Sequence, residues 1–244
     1  RARRLAAATT RAEVAALAPP VNAMLDRLQS ALDRERAFVA DAGHELRTPL
    51  AILRAELELA ARPGRSHTAL TEAVGRAGEE TDRLIHLAED LLLLARADNN
   101  QPILRTEQVA LPELLHAAAR GATARAAQGK GATVRVEVPN ELVLTADPGR
   151  IRQALDNLLD NAMRHTAEHG TVTLRALPER DRVSISVVDD GSGFPPDFLP
   201  HAFERFQRAE AARSRDDGGT GLGLAIARAI AAAHGGGADA KNRP

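Results

Sequence analysis

No cysteine occurs among the 244 residues, which excludes disulfides, thiolate nucleophiles and cysteine-ligated metal sites. Tyrosine and tryptophan are absent too, and phenylalanine occurs only five times. The chain therefore offers no aromatic platform on which nucleic-acid bases could stack. Neither sign of charge dominates: the formal net value is −1, which argues against a DNA or RNA partner. No apolar run approaches the roughly 18 to 20 residues that span a bilayer. No signal peptide is visible, and the chain opens RARRLAAATTR without an initiator Met. The expectation is a piece of a longer protein, with any membrane anchor upstream.

What is present begins with helical periodicity. Leu25, Leu28, Leu32, Val39, Ala42, Leu46, Leu53, Leu57 and Ala60 recur at helical or heptad steps and predict a helix from Val21 to about Arg62. Pro63 and Gly64 break it. A second seam follows through Leu70, Val74, Ala77, Thr81, Leu84, Ala88, Leu91 and Ala95. Two long helices joined by a short turn predict an antiparallel hairpin over residues 25–97. One hairpin cannot bury so long an apolar stripe, so two copies are expected to complete a four-helix bundle. Residues 1–24 read as the end of an upstream coiled coil or linker, with Pro19-Pro20 at the junction.

The pattern changes after a polar linker at 98–104. Residues 105–244 alternate as an α+β layer with a mainly antiparallel sheet. Helices are expected near 111–127, 149–165 and 221–234, and strands at 133–138, 142–145, 171–177 and 183–189. The Gly-, Pro- and Arg-rich segment between Asp190 and Gly221 reads as one long loop with a short helical piece at 202–206. A loop of that length inside a compact domain is usually functional.

The first string with chemistry is HELRTPL, residues 44–50. His44 falls midway between seam positions Ala42 and Leu46 and is expected to face solvent, with Thr48 one turn on. Pro49 has no N–H for the carbonyl of Glu45, so a bend is expected there. A neutral imidazole beside an acceptor that holds its tautomer is a competent nucleophile near neutral pH. Three more motifs follow. Asn157 and Asn161 share one helix face opposite Leu155, Leu158, Leu159 and Ala162. VVDDGSGF (187–194) is an Asp-x-Gly-x-Gly turn leaving a strand. GGTGLGLAIA (218–227) is a Gly-rich loop opening a helix, a ready phosphate site through its backbone amides.

HELRTPL resembles the phospho-acceptor box of sensor histidine kinases. The three later motifs, with FERF (203–206) between the last two, resemble the ATP-binding domain shared by histidine kinases, gyrase, Hsp90 and MutL. The resemblance covers about residues 25–235. It implies a helical hairpin that dimerises, followed by an α/β sandwich that binds ATP and Mg²⁺. His44 would be phosphorylated, Glu45 would position and deprotonate it, and Thr48 would orient water for the reverse, phosphatase reaction. Asn157 would contribute to the nucleotide site, and Asn161 would offer an amide oxygen to Mg²⁺. Asp189 would read the adenine amino group, with Gly191 and Gly193 admitting the base. Gly219, Thr220, Gly221, Leu222 and Gly223 would cradle the phosphates. Arg164 would reach a phosphate, and His165 would lie near adenine.

The resemblance also implies a lid at 207–218, with Arg208, Arg213 or Arg215 left open as the residue meeting the γ-phosphate. Phe203 and Phe206 would anchor the lid or simply pack in the core. The partners implied are a second copy of the chain and the receiver domain of a response regulator. The parent would be an inner-membrane sensor of which this is the cytoplasmic portion, and the ATP-binding domain would swing on the 98–104 linker. In hydrolytic relatives the first residue of the asparagine pair is a glutamate that activates water; here it is Asn157, which cannot accept that proton. The family usually closes its sheet with strands beyond the last helix, whereas HGGGADAKNRP is poor strand material, so a missing strand and an open edge are expected. An ATP hydrolase or clamp is opposed by Asn157 and the acceptor box. A non-catalytic scaffold is opposed by the intact His44, Asn161, Asp189 and glycine set.

Overall fold

The computed structural model describes residues 2–64, 66–98, 104–126, 131–207 and 220–243. It divides into two compact units, Arg1–Thr81 and Asp82–Pro244. Among the described residues no helix is long and apolar enough to cross a membrane.

The first unit holds helix α1 (Ala2–Ala60) and the first half of helix α2 (His67–Asp98). Helix α1 starts well before Val21 and runs through Pro19-Pro20, so the prolines do not end a helical element. Pro49 likewise lies inside α1, and the expected bend there does not interrupt the helix. A proline removes one rung of the hydrogen-bond ladder; the ring of Pro49 is buried, and that packing offsets part of the loss. The turn ends at Ser66, whose Oγ accepts the N–H of Ala69 and caps α2.

The packed stripe of α2 follows the expected seam at Ala77 but departs from it on either side, where Ala73 and Glu80 are buried in place of Val74 and Thr81. Ala73, Ala77 and Glu80 are buried in this unit, whereas Leu70 and Val74 are 42% and 56% exposed. Large apolar residues drew the expected seam, but the small alanines are what face inward in a single chain. On α1, Ala42, Leu46, Leu53 and Ala60 are half-buried as expected, and Val39 and Leu57 are exposed. Arg76 on α2 donates to Glu56 on α1 at 3.0 Å.

The second unit contains the rest of α2 and an α/β sandwich. Its elements are β1 (Glu107–Ala110), α3 (Leu111–Ala126), β2 (Thr133–Glu137), β3 (Val143–Ala146), α4 (Pro148–His165), β4 (Thr171–Glu179), β5 (Arg182–Val188), a 3-10 turn at Leu199–His201, and α5 (Gly223–Ala233). Strands β2, β4 and β5 form one sheet with β4 central, and β1 pairs with β3 in a separate ribbon. Of the pairings, β1–β3 and β4–β5 are antiparallel and β2–β4 is parallel, so the sheet is mixed. Val172, Leu174 and Ala176 alternate inward along β4 and meet Leu111, Leu115 and Ala118 of α3 and Leu155, Leu159 and Ala162 of α4. Each fully buried leucine contributes roughly 2–3 kcal/mol relative to exposure.

Strand β1 was not expected, because only Val109 of its residues is buried and no alternation shows; pairing with β3 makes it a strand. The helical piece expected at 202–206 lies earlier, at Leu199–His201. Phe206 has φ 58°, which no right-handed helix accommodates. Residues 236–243 pair with no strand.

The acids Asp156 and Asp160 of α4 hold α3 against α4. Arg125 of α3 lies 2.7 Å from Asp160 and 3.5 Å from Asp156. The second half of α2 is tied to this unit at two points. Gln153 of α4 donates to Asp90 at 2.8 Å, and Arg205 donates to the carbonyl of Leu94 at 3.3 Å.

Burial pushes the Asp90 carboxyl up to about 6; the Gln153 bond and the charges of His86 and Arg150 pull the other way and lose. A raised carboxyl favours folding below its ordinary range, and that contribution is lost as pH rises through about 6. Asp90→Asn keeps an acceptor for Gln153 without the charge. It is expected to raise stability at pH 7.5 by about 1 kcal/mol after screening, with the gain vanishing toward pH 4. Urea unfolding across that pH range checks it, and a gain independent of pH would contradict it.

Candidate functional site

In the first unit, α1 brings His44, Glu45 and Thr48 to one short stretch. His44 and Thr48 are exposed, Glu45 is half-buried and Pro49 is buried. The imidazole therefore stands in solvent between the half-buried Ala42 and Leu46, as expected, and the carboxylate beside it is partly sheltered.

In the second unit, the sequence around α4 explains the site. Asp147 accepts the N–H of Arg150 and caps the helix, with Pro148 in its first turn. Leu155, Leu159 and Ala162 then face the sheet, which turns Asn157 and Asn161 to the other side, both half-buried. The Nδ2 of Asn157 is buried and has no hydrogen-bond partner among the described residues. Its Oδ1 lies 3.4 Å from where a Cβ on Gly223 would stand. Gly223 opens α5, whose N-cap position, Leu222, makes no side-chain cap. An orphaned donor and the uncapped amides of a helix start thus converge.

At the exit of β5, Asp189 Oδ1 accepts the N–H of Gly191 at 2.9 Å. A Cβ on Gly191 would stand 2.5 Å from the carbonyl oxygen of His165 and 2.7 Å from Asp189 Oδ1, so only glycine fits. Asp189, Gly191 and the end of α4 are thereby brought together, with Arg164 and His165 exposed beside them. The Gly-rich loop closes onto the FERF segment: Phe206 N–H donates to Gly221 O at 3.0 Å. Phe203 is half-buried, with the Arg228 guanidinium of α5 at 5.9 Å from its ring centroid. Thr220 Oγ1 accepts weakly from Leu222 N–H at 3.4 Å. The side chain of Leu222 is fully buried, which leaves only its backbone for a ligand. Gly219, Arg208, Arg213, Arg215 and linker residues 99–103 lie outside the described residues.

These features fit a nucleotide. The orphaned Asn157 amide needs an acceptor, and the glycines leave backbone accessible where any side chain would block it. Among the described residues no three His, Asp or Glu side chains cluster to hold a metal ion. The side-chain oxygen of Asn161 is a hard donor of the kind Mg²⁺ takes alongside phosphate oxygens. Two contacts escaped the sequence reading. His234 at the end of α5 donates from Nδ1 to Ile230 O and accepts the Asp147 N–H at Nε2, at 2.8 and 3.1 Å, pinning α5 to the start of α4. Asn242 binds the backbone of Phe194. Both join residues remote in sequence, and no spacing announces them.

Residues 34–100 match the His Kinase A (phospho-acceptor) domain. Residues 146–244 match the family described as histidine kinase-, DNA gyrase B- and HSP90-like ATPase. The chain is 39% identical over 232 residues to the probable sensor histidine kinase TcrY of Mycobacterium tuberculosis, covering 92% of this chain and 48% of that protein. It is 34% identical to the sensor histidine kinase CusS of Escherichia coli, covering 95% and 48%. The chain thus spans about half the length of the curated relatives it matches. Among solved structures, the histidine kinase AdeS of Acinetobacter baumannii superposes with a TM-score of 0.59 at 26% identity, covering 78% of this chain and 86% of that one. Full-length ShkA in complex with AMPPNP gives 0.58 at 30% identity, covering 82% and 41%.

Proposed function

The chain belongs to the sensor histidine kinases, and from that premise we propose that it transfers the γ-phosphoryl group of ATP to its own His44. The observation that carries this reading is a solvent-facing imidazole in the same chain as a nucleotide site that has Asn157, not an acid, against Gly223. An amide cannot deprotonate water, so the γ-phosphoryl is kept for an external nucleophile.

A ring nitrogen of His44 attacks the γ-phosphorus. The P–N bond forms as the bond to the bridging oxygen breaks, and ADP leaves. Glu45 takes the proton from the other ring nitrogen. The Asn157 amide and the backbone of Gly219, Gly221 and Gly223 hold the phosphates, with Thr220 and the backbone of Leu222 beside them. Asp189 takes the adenine amino group, with Gly191 and Gly193 giving it room. Arg164 and one of Arg208, Arg213 and Arg215 neutralise phosphate charge, and His165 lies near the base. Asn161 would hold Mg²⁺ through its side-chain oxygen, and the ion would supply charge neutralisation for the phosphates. Phe203 and Phe206 anchor the base of the lid.

The phosphoryl group then passes to an aspartate of a response-regulator receiver domain, and Thr48 orients water for the opposing phosphatase reaction, in which water cleaves the acyl phosphate and inorganic phosphate leaves. The exposed apolar residues of α1 and α2, among them Leu25, Leu28, Leu32, Leu57 and Val74, suit a homodimeric four-helix bundle. The parent protein is a sensor anchored in the membrane upstream, with this portion in the cytoplasm. Incubation with γ-labelled ATP and Mg²⁺ tests the reading. Label should stay on the protein, survive base and be lost in acid, and should move to a receiver domain on mixing. Phosphate release with no protein-bound label would support a hydrolase instead.

A further inference from the structure

Residues 236–243 pair with no strand, yet they do not hang free of the nucleotide site. The side-chain amide of Asn242 spans the backbone of one residue: Oδ1 accepts the Phe194 N–H at 2.8 Å, and Nδ2 donates to the Phe194 carbonyl at 2.7 Å. This is the two-bond pattern that a neighbouring β-strand would supply, delivered by one side chain. Phe194 ends the Asp-x-Gly-x-Gly turn that begins at Asp189. Its ring is held too, stacked on Phe198 at 5.9 Å between centroids. Gly193, with φ +70°, completes the fit, because a Cβ there would stand 2.8 Å from Asn242 Oδ1. Part of what the missing side chain at Gly193 makes room for is therefore this amide.

We propose that Asn242 is a positioning residue for the nucleotide, clamping the Gly191–Phe194 turn in the shape that receives the base. The proposal deepens the ATP-site reading and rests on it. The turn has one end fixed by Asp189, whose Oδ1 accepts the Gly191 N–H. Its other end, at Phe194, has no strand partner among the described residues, and its backbone N–H and C=O are both bonded to Asn242. Releasing that end leaves Gly191, Ser192 and Gly193 free to sample other conformations, and ATP binding must then order them again. The expected signature is weaker binding with little change in the chemical step.

The test compares the full chain with Asn242→Ala. In the nucleotide-free protein, hydrogen exchange at the Phe194 amide should accelerate by about tenfold or more while amides of β4 and β5 keep their protection. The KM for ATP in autophosphorylation and the Kd for ATP should rise about 5- to 10-fold, with kcat within about twofold. Unchanged Phe194 exchange and unchanged Kd would overturn the proposal. If the alanine variant loses protection throughout β4 and β5, Asn242→Asp is the second variant. It keeps an acceptor for the Phe194 N–H but repels the carbonyl, and a folded Asp variant with weakened ATP binding supports the clamp. Global loss of protection in both assigns Asn242 to general stability and overturns positioning. Failure of the wild-type chain to bind ATP would remove the nucleotide reading, whereas the exchange result on Phe194 would stand apart from it.

Discussion

His44→Gln is expected to reduce acid-labile, base-stable labelling from γ-labelled ATP to background, a loss of at least about 1,000-fold, with ATP affinity unchanged. Glutamine keeps a polar side chain of similar reach but has no nucleophilic nitrogen, because its amide lone pair is delocalised. Residue 44 is exposed on α1, so the substitution leaves no cavity and no unpaired buried group, and stability should move by no more than about 0.5 kcal/mol. His44 and the nucleotide residues belong to different units, so loss of label with retained binding would separate acceptor from donor within one chain. Glu45→Gln should keep binding and lose roughly 100-fold or more in rate, as removal of a positioned base does. Quantitative labelling with parallel calorimetry of ATP binding checks both. Labelling of the His44→Gln protein at the wild-type level would place the acceptor elsewhere.

Much of this was legible in the sequence, and the reasons are local. The α4 face pattern put Leu155, Leu159 and Ala162 inside and turned Asn157 and Asn161 away, because a helix of that length has one apolar stripe. Val172, Leu174 and Ala176 alternate plainly along β4, since one face of that strand is buried. His44 faced solvent because its neighbours at positions 42 and 46 are seam residues. The misses share a cause. On α2, Ala73 packs inward where Val74 was expected, because a lone alanine carries little hydrophobic signal, while Ala77 is buried as the seam predicts. Strand β1 exists through its partner β3 and has one buried residue of its own. Asp90 looks like an ordinary helix-surface acid until Gln153, from the far side of the sandwich sequence, covers it. Asn242 and His234 act on backbone groups many residues away, and composition carries no trace of such pairings. Periodicity reports what a segment does with its own side chains, and not which distant backbone those side chains complete.

Gly221→Ala tests the phosphate end of the site with the second large effect. Gly221 has φ +70°, and a Cβ there would lie 2.8 Å and 2.9 Å from the backbone C and Cα of Phe206 and 3.0 Å from the Gln207 carbonyl oxygen. Backbone atoms, unlike the end of a long side chain, cannot swing aside, so one of the two strands of chain has to move. Helix α5 is the less able to do so. Leu222, Ile226 and Ile230 are buried beneath it, and His234 pins its far end to Asp147. The displacement therefore falls on the 206–207 side, and the Phe206 N–H bond to Gly221 O is lost. That bond joins the two ends of the segment between Phe206 and Gly221, so the base of the phosphate loop opens next to Gly223 and the orphaned Asn157 amide. The strained backbone and the lost bond together are expected to cost the second unit about 1–3 kcal/mol. ATP affinity should fall by about 30- to 100-fold and autophosphorylation with it, read by calorimetry and by labelling. Gly237→Ala is the matched control, since a Cβ there meets nothing within 4 Å and its φ is not positive. It should leave both quantities unchanged. Wild-type ATP affinity in Gly221→Ala would mean that the phosphates do not sit on this loop, and the anion site would then have to be sought away from the start of α5.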